Sequence, residues 1–245
     1  MVLLGIDTAT TVAAAGVVQG GPEIRILSDV GETSATGHAA RLPEIVARAL
    51  AEAGRRLDEI DAVAVSVGPG SFTGLRVGLS FAKGIVFASR ARLVGVSTLE
   101  ALASLAPPAY GTIAVVSDAR RGETYAALFR RTGGVLERIT KDLALSPDGA
   151  AERVLGLVEP GNTVLLGDAS SRYLEAFAGL PAAGISVVPL ERISPRGSAV
   201  ARLGADRLAR GESDPVDSLV PVYVRASAAE ENLRPSTLTT ENRLS

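Results

Sequence analysis

The chain has 245 residues, no Cys, one His, and 25 basic against 27 acidic side chains, for a net charge of −2. Without Cys it has no disulfide, thiolate nucleophile, iron–sulfur cluster or Cys-based zinc site, and a single His excludes a His-rich metal site within one chain. The charge balance lacks the basic footprint of an autonomous nucleic-acid binder, and no apolar run reaches the roughly 18 residues of a membrane helix.

A composition of 47% hydrophobic and 21% charged residues is that of a globular protein. Its length suits one large domain or two of roughly 100–120 residues. No basic stretch precedes Asp7, so a signal peptide is not expected and a cytoplasmic location is.

In chain order, Val2 to Ile6 is a continuous apolar strand ended by Asp7. A second strand runs from about Val12 to Val18. Gly20-Gly21-Pro22 then turns the chain into a third strand through Leu27, and residues 31–37 are expected to be loop. From His38 to Ala53 the period changes to 3.6, with Leu42, Ile45, Val46, Ala49, Leu50 and Ala53 on one side; Pro43 marks the start or a kink of that helix. A fourth strand, Ala62 to Val67, leads into Gly68-Pro69-Gly70-Ser71-Phe72-Thr73-Gly74 and a helix to about Ser89. Arg92 to Val96 is a strand, and Ser97 caps a short helix in a capping box with Glu100.

The Pro-rich stretch 106–111 is the best domain boundary, and beyond it the order repeats. Thr112 to Ser117 is a strand ended by Asp118, Ala119 to Gly122 a turn, Glu123 to Arg130 a strand, and Thr132-Gly133-Gly134 a turn into another. Asp118 follows Asp7 by 111 residues and Gly133 follows Gly20 by 113, which points to an internal duplication. A helix (about Asp148 to Leu155), a strand (Thr163 to Gly167), a helix through Phe177, a strand (Ile185 to Val188), a long helix (Arg196 to Arg210) and a final strand (Val220 to Val224) follow. The expected division is 1–106, 107–226 and a mobile polar tail, 227–245.

Three groups are candidates for chemistry. The Gly68–Gly74 loop joins a strand to a helix, where free amides attract anions, but no Lys follows its last Gly as in a Walker loop; the alternative is a structural turn with Thr73 capping the helix. Asp7 and Asp118 end strands where ligands of open α/β sheets bind, so Asp7, Thr8, Thr10, Gly68, Gly70, Ser71 and Asp118 form a candidate, vestigial nucleotide or anion site. Each carboxylate is equally readable as a turn residue, the reading favoured for Asp168.

The third group is the helix 74–88, whose only charges are Arg76 and Lys83. A helix apolar nearly all round must be covered on two sides. One side is the chain's own sheet. The other is expected to meet another chain, with the helix 43–53 beside it, in a four-helix bundle. Leu42, Ile45, Val46, Ala49, Leu50, Leu75, Gly78, Leu79, Ala82, Ile85 and Val86 are the candidate interface residues.

The stretches IDTAT, GHAARLPEI, VGPGSFTGLRVGLSFAKG, GVSTLEALA, DARRGETYAALF, LLGD and PVYVR occur here in the order and spacing of the TsaB (YeaZ) family, which the chain resembles over about residues 1–226. The resemblance implies an α/β fold of the actin-like, sugar-kinase/Hsp70 superfamily, with two RNase-H-like domains of mixed sheets flanked by helices. It implies a non-catalytic partner of TsaD in the threonylcarbamoyl-adenosine modification of tRNA. TsaD holds its metal with two His residues at i,i+4; here the matching stretch has His38 and Leu42, so a metal site is not expected, nor is peptidase chemistry.

The resemblance also implies a TsaE-type ATPase as a further partner, a homodimer as an alternative pairing, and tRNA contact mainly through the complex. No cofactor is certain, ATP or ADP being expected only in the assembled complex. The rival readings are an ATP-dependent phosphotransferase or ATPase using Asp7, Thr8, Thr10 and the Gly68–Gly74 loop, and a nuclease using Asp7, Asp118 and Asp168.

Overall fold

The computed structural model describes residues 1–21, 23–33, 41–188 and 196–224. The expected helix start at His38 and the polar tail 227–245 lie outside them. The first half of the chain forms β1 (Val2–Asp7), β2 (Val12–Gln19), β3 (Arg25–Thr33), α1 (Leu42–Glu52), β4 (Ala62–Gly68), α2 (Phe72–Ala88), β5 (Arg92–Ser97) and α3 (Thr98–Ser104). The second half forms β6 (Thr112–Arg120), β7 (Glu123–Thr132), β8 (Val135–Arg138), β9 (Leu143–Leu145), α4 (Pro147–Leu157), β10 (Thr163–Leu166), α5 (Asp168–Arg172), α6 (Leu174–Phe177), β11 (Ile185–Val188) and α7 (Gly197–Ala209).

The duplication read from Asp7/Asp118 is present in the topology. The first sheet has the order β3-β2-β1-β4-β5 and the second β8-β7-β6-β10-β11, with β9 added on β7. In each, three antiparallel strands are followed by two parallel ones. The hairpin turns follow from backbone chemistry. Gly133 and Gly134 both adopt positive φ, 58° and 85°, as a two-residue turn of the right twist requires. At the β6–β7 turn two arginines, Arg120 and Arg121, take positive φ (66° and 54°) ahead of Gly122, and Asp118 Oδ1 accepts the Arg120 N–H at 2.9 Å to hold it.

The period-two alternation of side chains sorts the faces of the first sheet. On one face Leu4, Ile6, Val17, Val63 and Val65 pack with α1 and α2. On the other, the sheet presents the small residues Gly5, Ala14, Gly16, Ala62 and Ala64, and α7 settles there with Val200, Ala201 and Ala205. The approach is backbone to backbone: a Cβ on Gly197 would lie 2.2 Å from Ala15 C and Gly16 N, and one on Gly5 2.0 Å from Gly197 O. The second sheet is covered by Leu99, Leu102 and Ala103 of α3 on one face and by α4 to α6 on the other. Helices therefore cross the chain-order division near residue 106: α3 joins the core of the second sheet, and α7 joins the first.

Four expectations differ in detail. β3 continues to Thr33, because its partner β2 extends the ladder past the expected loop. β9 went unread, being three residues long. The helix expected through Phe177 breaks at Tyr173 into α5 and α6. Residues 220–224 form no strand; this segment runs beside the Gly68 loop, with Val222 N–H donating to Val67 O at 2.7 Å.

The docking of α7 makes two glycines testable. Gly197→Ala should destabilise the chain by about 2–3 kcal/mol, a melting temperature lower by roughly 4–12 °C, because backbone rather than a movable side chain fills the space. Gly156→Ala on α4, where a Cβ meets nothing within 4 Å, should instead raise stability by about 0.5–1 kcal/mol. Thermal unfolding of both variants checks the contrast.

Candidate functional site

The site residues at the end of β1 come together and are consumed by one another. Asp7 is 1% exposed. Its Oδ1 accepts the Ala9 N–H at 2.9 Å, closing the turn after β1, and Oδ2 accepts no hydrogen bond among the described residues. That oxygen lies 3.5 Å from Nη1 of Arg196, a side chain as buried as its partner. The same Nη1 donates to Thr10 Oγ1. The Gly68–Gly74 loop is pressed against this turn: Ser71 N–H donates to Ala9 O at 2.7 Å and Thr8 Oγ1 to Gly74 O at 2.7 Å.

Glycine is needed at these contacts. A Cβ on Gly70 would lie 2.4 Å from Ala9 O and one on Gly74 2.0 Å from Thr8 O. From the other side Val222 O would stand 2.4 Å from a Cβ on Gly68. The helix cap is Ser71, whose Oγ accepts the Gly74 N–H at 3.2 Å, not Thr73 as expected. The loop is thus a structural turn, with no open cradle for a phosphate. The metal–nucleotide group of the actin-like fold does not fit these residues, since a bound Mg²⁺ needs a free carboxylate oxygen and room for its waters and phosphates.

Asp118 does not join this group. In the second unit it accepts Tyr173 Oη–H at 3.0 Å, with Arg172 Nε at 3.3 Å and Arg120 Nε at 3.6 Å. Asp168 Oδ1 accepts Ser117 Oγ–H and Asp118 N–H, both at 3.0 Å, the turn role favoured from sequence. Among the described residues no three His, Cys, Asp or Glu side chains are grouped as metal ligands, so the convergent carboxylates of the nuclease reading are absent there.

Sequence reasoning missed Arg196, which opens a helix of otherwise ordinary amphipathic pattern. It also missed Asp29 on β3, whose carboxylate accepts Ser198 N–H at 3.2 Å and Ser198 Oγ–H and so caps α7 from outside its own segment. The signal available was weak: a charged residue at the entry of a helix rich in Gly and Ala.

The candidate interface residues turn inward. Leu42, Ile45, Val46, Ala49 and Leu50 of α1, and Leu79, Ala82, Ile85 and Val86 of α2, belong to the first sheet's own core; Leu75 is fully buried, and Gly78 packs on Thr8 Oγ1, 2.3 Å from where its Cβ would be. The faces left outward carry Ala47 and Ala51 on α1 and, on α2, Val77, Phe81, Gly84 and Phe87. Phe87 is 90% exposed. At the start of α2, Phe72 stacks on Tyr223 at 4.9 Å with Arg76 over its ring.

Two RNase-H-like units, joined by α3 and by the return of α7, give the chain an actin-like fold. The sequence profile of the family described as TsaD, tRNA N6-adenosine threonylcarbamoyltransferase, matches residues 29–232. An uncharacterised protein of Mycobacterium tuberculosis is 33% identical over 93% of both chains. The tRNA threonylcarbamoyladenosine biosynthesis protein TsaB of Bacillus subtilis is 27% identical over 94% of this chain and 96% of its own. The solved structure of YeaZ from Pseudomonas aeruginosa superposes with a TM-score of 0.75 at 28% identity, over 91% of this chain and 99% of that one. This chain belongs to the TsaD-related family and, within it, to the TsaB/YeaZ proteins.

Asp29 supplies a pH test of the α7 cap. Burial pushes its carboxyl above the ordinary 3.8, while the Ser198 hydroxyl and the Ser198 and Gly197 amides pull the other way. A raised folded-state value means that stability from this group is present in acid and lost as pH rises through that value. Carboxyl-carbon NMR should therefore give Asp29 a midpoint above 3.8, and Asp29→Asn should remove that component from the pH dependence of the melting temperature.

Proposed function

We propose that this chain is a non-catalytic subunit of the tRNA threonylcarbamoyladenosine modification assembly and holds a TsaD-type catalytic chain against the outward face of α1 and α2. The exposed Phe87, with the open helical Gly84 beside it, carries the reading. A glycine inside a helix costs about 1 kcal/mol relative to Ala. Here a Cβ would meet nothing within 4 Å, so no contact among the described residues calls for a glycine. The same is true of Gly156 on α4; at Gly84, with the exposed Phe87 beside it, the opening would admit a second backbone.

Around Gly84 the surface carries Phe87 and Ala88 beside Ser80 and Lys83. Phe87 is 90% exposed and Val77 and Phe81 are half-buried, a stripe whose burial against a partner is worth roughly 25 cal/mol per Å². The small Ala47 and Ala51 on α1 would let a partner helix lie low beside it. The partner face belongs to the unit of residues 1–106, completed by α7, with 107–226 as the second unit. Without the catalytic chain a second copy is the competing occupant of the same face. In this reading a TsaE-type ATPase and the tRNA engage the assembled pair, in the cytoplasm. Among the described residues no helix is long and apolar enough to cross a membrane.

Support for an accessory role comes from the strand ends, where catalytic groups of such folds would stand: Asp7 and Asp118 are held in ion pairs and turns. The reading predicts that Gly84→Glu combined with Phe87→Glu lowers affinity for the TsaD-type chain at least ten-fold and abolishes its support of modification. The melting temperature of that variant should stay within about 2 °C of wild type, as surface changes shift stability by about 0.5 kcal/mol or less. Ile85→Glu, at 7% exposure, should instead unfold the chain. Co-purification of the double variant at wild-type yield, with normal modification, would place the interface elsewhere.

A further inference from the structure

We infer that the ligand site at the end of β1 is filled by the chain's own cation: the Arg196 guanidinium stands beside Asp7 where a metal-bound phosphate would otherwise be neutralised, and it shuts the folded subunit to magnesium nucleotides. The inference stands apart from the partner face proposed above. Open α/β sheets bind ligands beyond the carboxyl ends of their strands, and Asp7 ends β1 in the middle of the first sheet. A metal there needs a carboxylate oxygen to itself. One oxygen of Asp7 is spent on Ala9 N–H, and the other accepts no hydrogen bond among the described residues and has Arg196 Nη1 at 3.5 Å as its charge partner. With Asp7 1% and Arg196 3% exposed, the pair is closed off from water.

The phosphate side is closed as well. Ser71 N–H, the amide that a strand-to-helix loop would offer to an anion, is used by Ala9 O at 2.7 Å. Gly70 and Gly74 sit so close to Thr8 and Ala9 that even a methyl group would fall within 2.4 Å of a carbonyl oxygen, so a phosphate has no room. Arg196 arrives from the far end of the chain, one residue before α7. It donates to Thr10 Oγ1, and Ser198 is held by Asp29, so the plug and the docked helix come as one piece. Either charge alone would be buried without its counter-charge, a strongly destabilising state.

Calorimetry and thermal melting of the full chain test this. Wild type should give no saturable heat with Mg-ATP or Mg-ADP. Arg196→Ala should lower the melting temperature by roughly 6–15 °C, as expected when one partner of a buried pair is removed. Millimolar guanidinium should restore at least half of that loss in the variant and leave wild type unchanged. If Arg196→Ala does not fold, Asp7→Asn combined with Arg196→Met should, and should melt above either single variant because no lone charge remains. Asp7-dependent binding of Mg-nucleotide by wild type would overturn the inference. So would an Arg196→Ala variant that melts like wild type or fails to respond to guanidinium, or a double variant no more stable than the singles.

Discussion

The first sheet has two apolar faces, and the chain up to residue 106 provides α1 and α2 for only one of them. Strands β1 and β4 are buried along almost their whole length, so the second face cannot stay wet. Its main covering helix, α7, follows the entire second unit, while α3 adds Ala101 to this face and turns Leu99, Leu102 and Ala103 toward the other sheet. The core of the first unit therefore closes only when the end of the fold has been made. Gly5, Gly16 and Gly197 exist to let that late helix lie backbone to backbone on the strands.

That constraint explains where the site went. The end of β1 lies at the entry of α7, and the entering residue is an arginine. In open α/β sheets such strand ends take ligands, and here the carboxylate at the end of β1 is paired with the arginine that opens α7. In the second unit Arg120 and Arg172 are likewise paired, both with Asp118. The surface proposed for a partner is a different one, the outer face of α1 and α2, where Phe87 is exposed.

Much of the architecture was legible because period and punctuation are local properties. Asp7 and Asp118 at the ends of apolar runs, each followed by a strand and a Gly-Gly turn, revealed the duplication before any sheet order was known. The GPGSFTG loop announced a strand-to-helix junction, and Ser71 rather than Thr73 as its cap is a shift of two residues. The facing of α2 was not legible. A helix apolar nearly all round has no strong preference in phase, so its pattern did not show which face turns inward; packing chose Leu75, Leu79, Ala82 and Val86 for the core and left Gly84 and Phe87 outside. Arg196 and Asp29 were also out of reach, because their partners are 189 and 169 residues away in the chain and no local rule links them.

The central claim is that α1 and α2 serve two masters, the sheet beneath them and a TsaD-type chain above. Amide hydrogen exchange of the purified chain, alone and with that partner, tests it most directly. The account predicts slower exchange on partner binding over residues 42–52 and 72–88, with the Arg120–Gly122 turn and α4 unchanged. Protection confined to the second unit, or none on α2 in a complex that demonstrably forms, would contradict it.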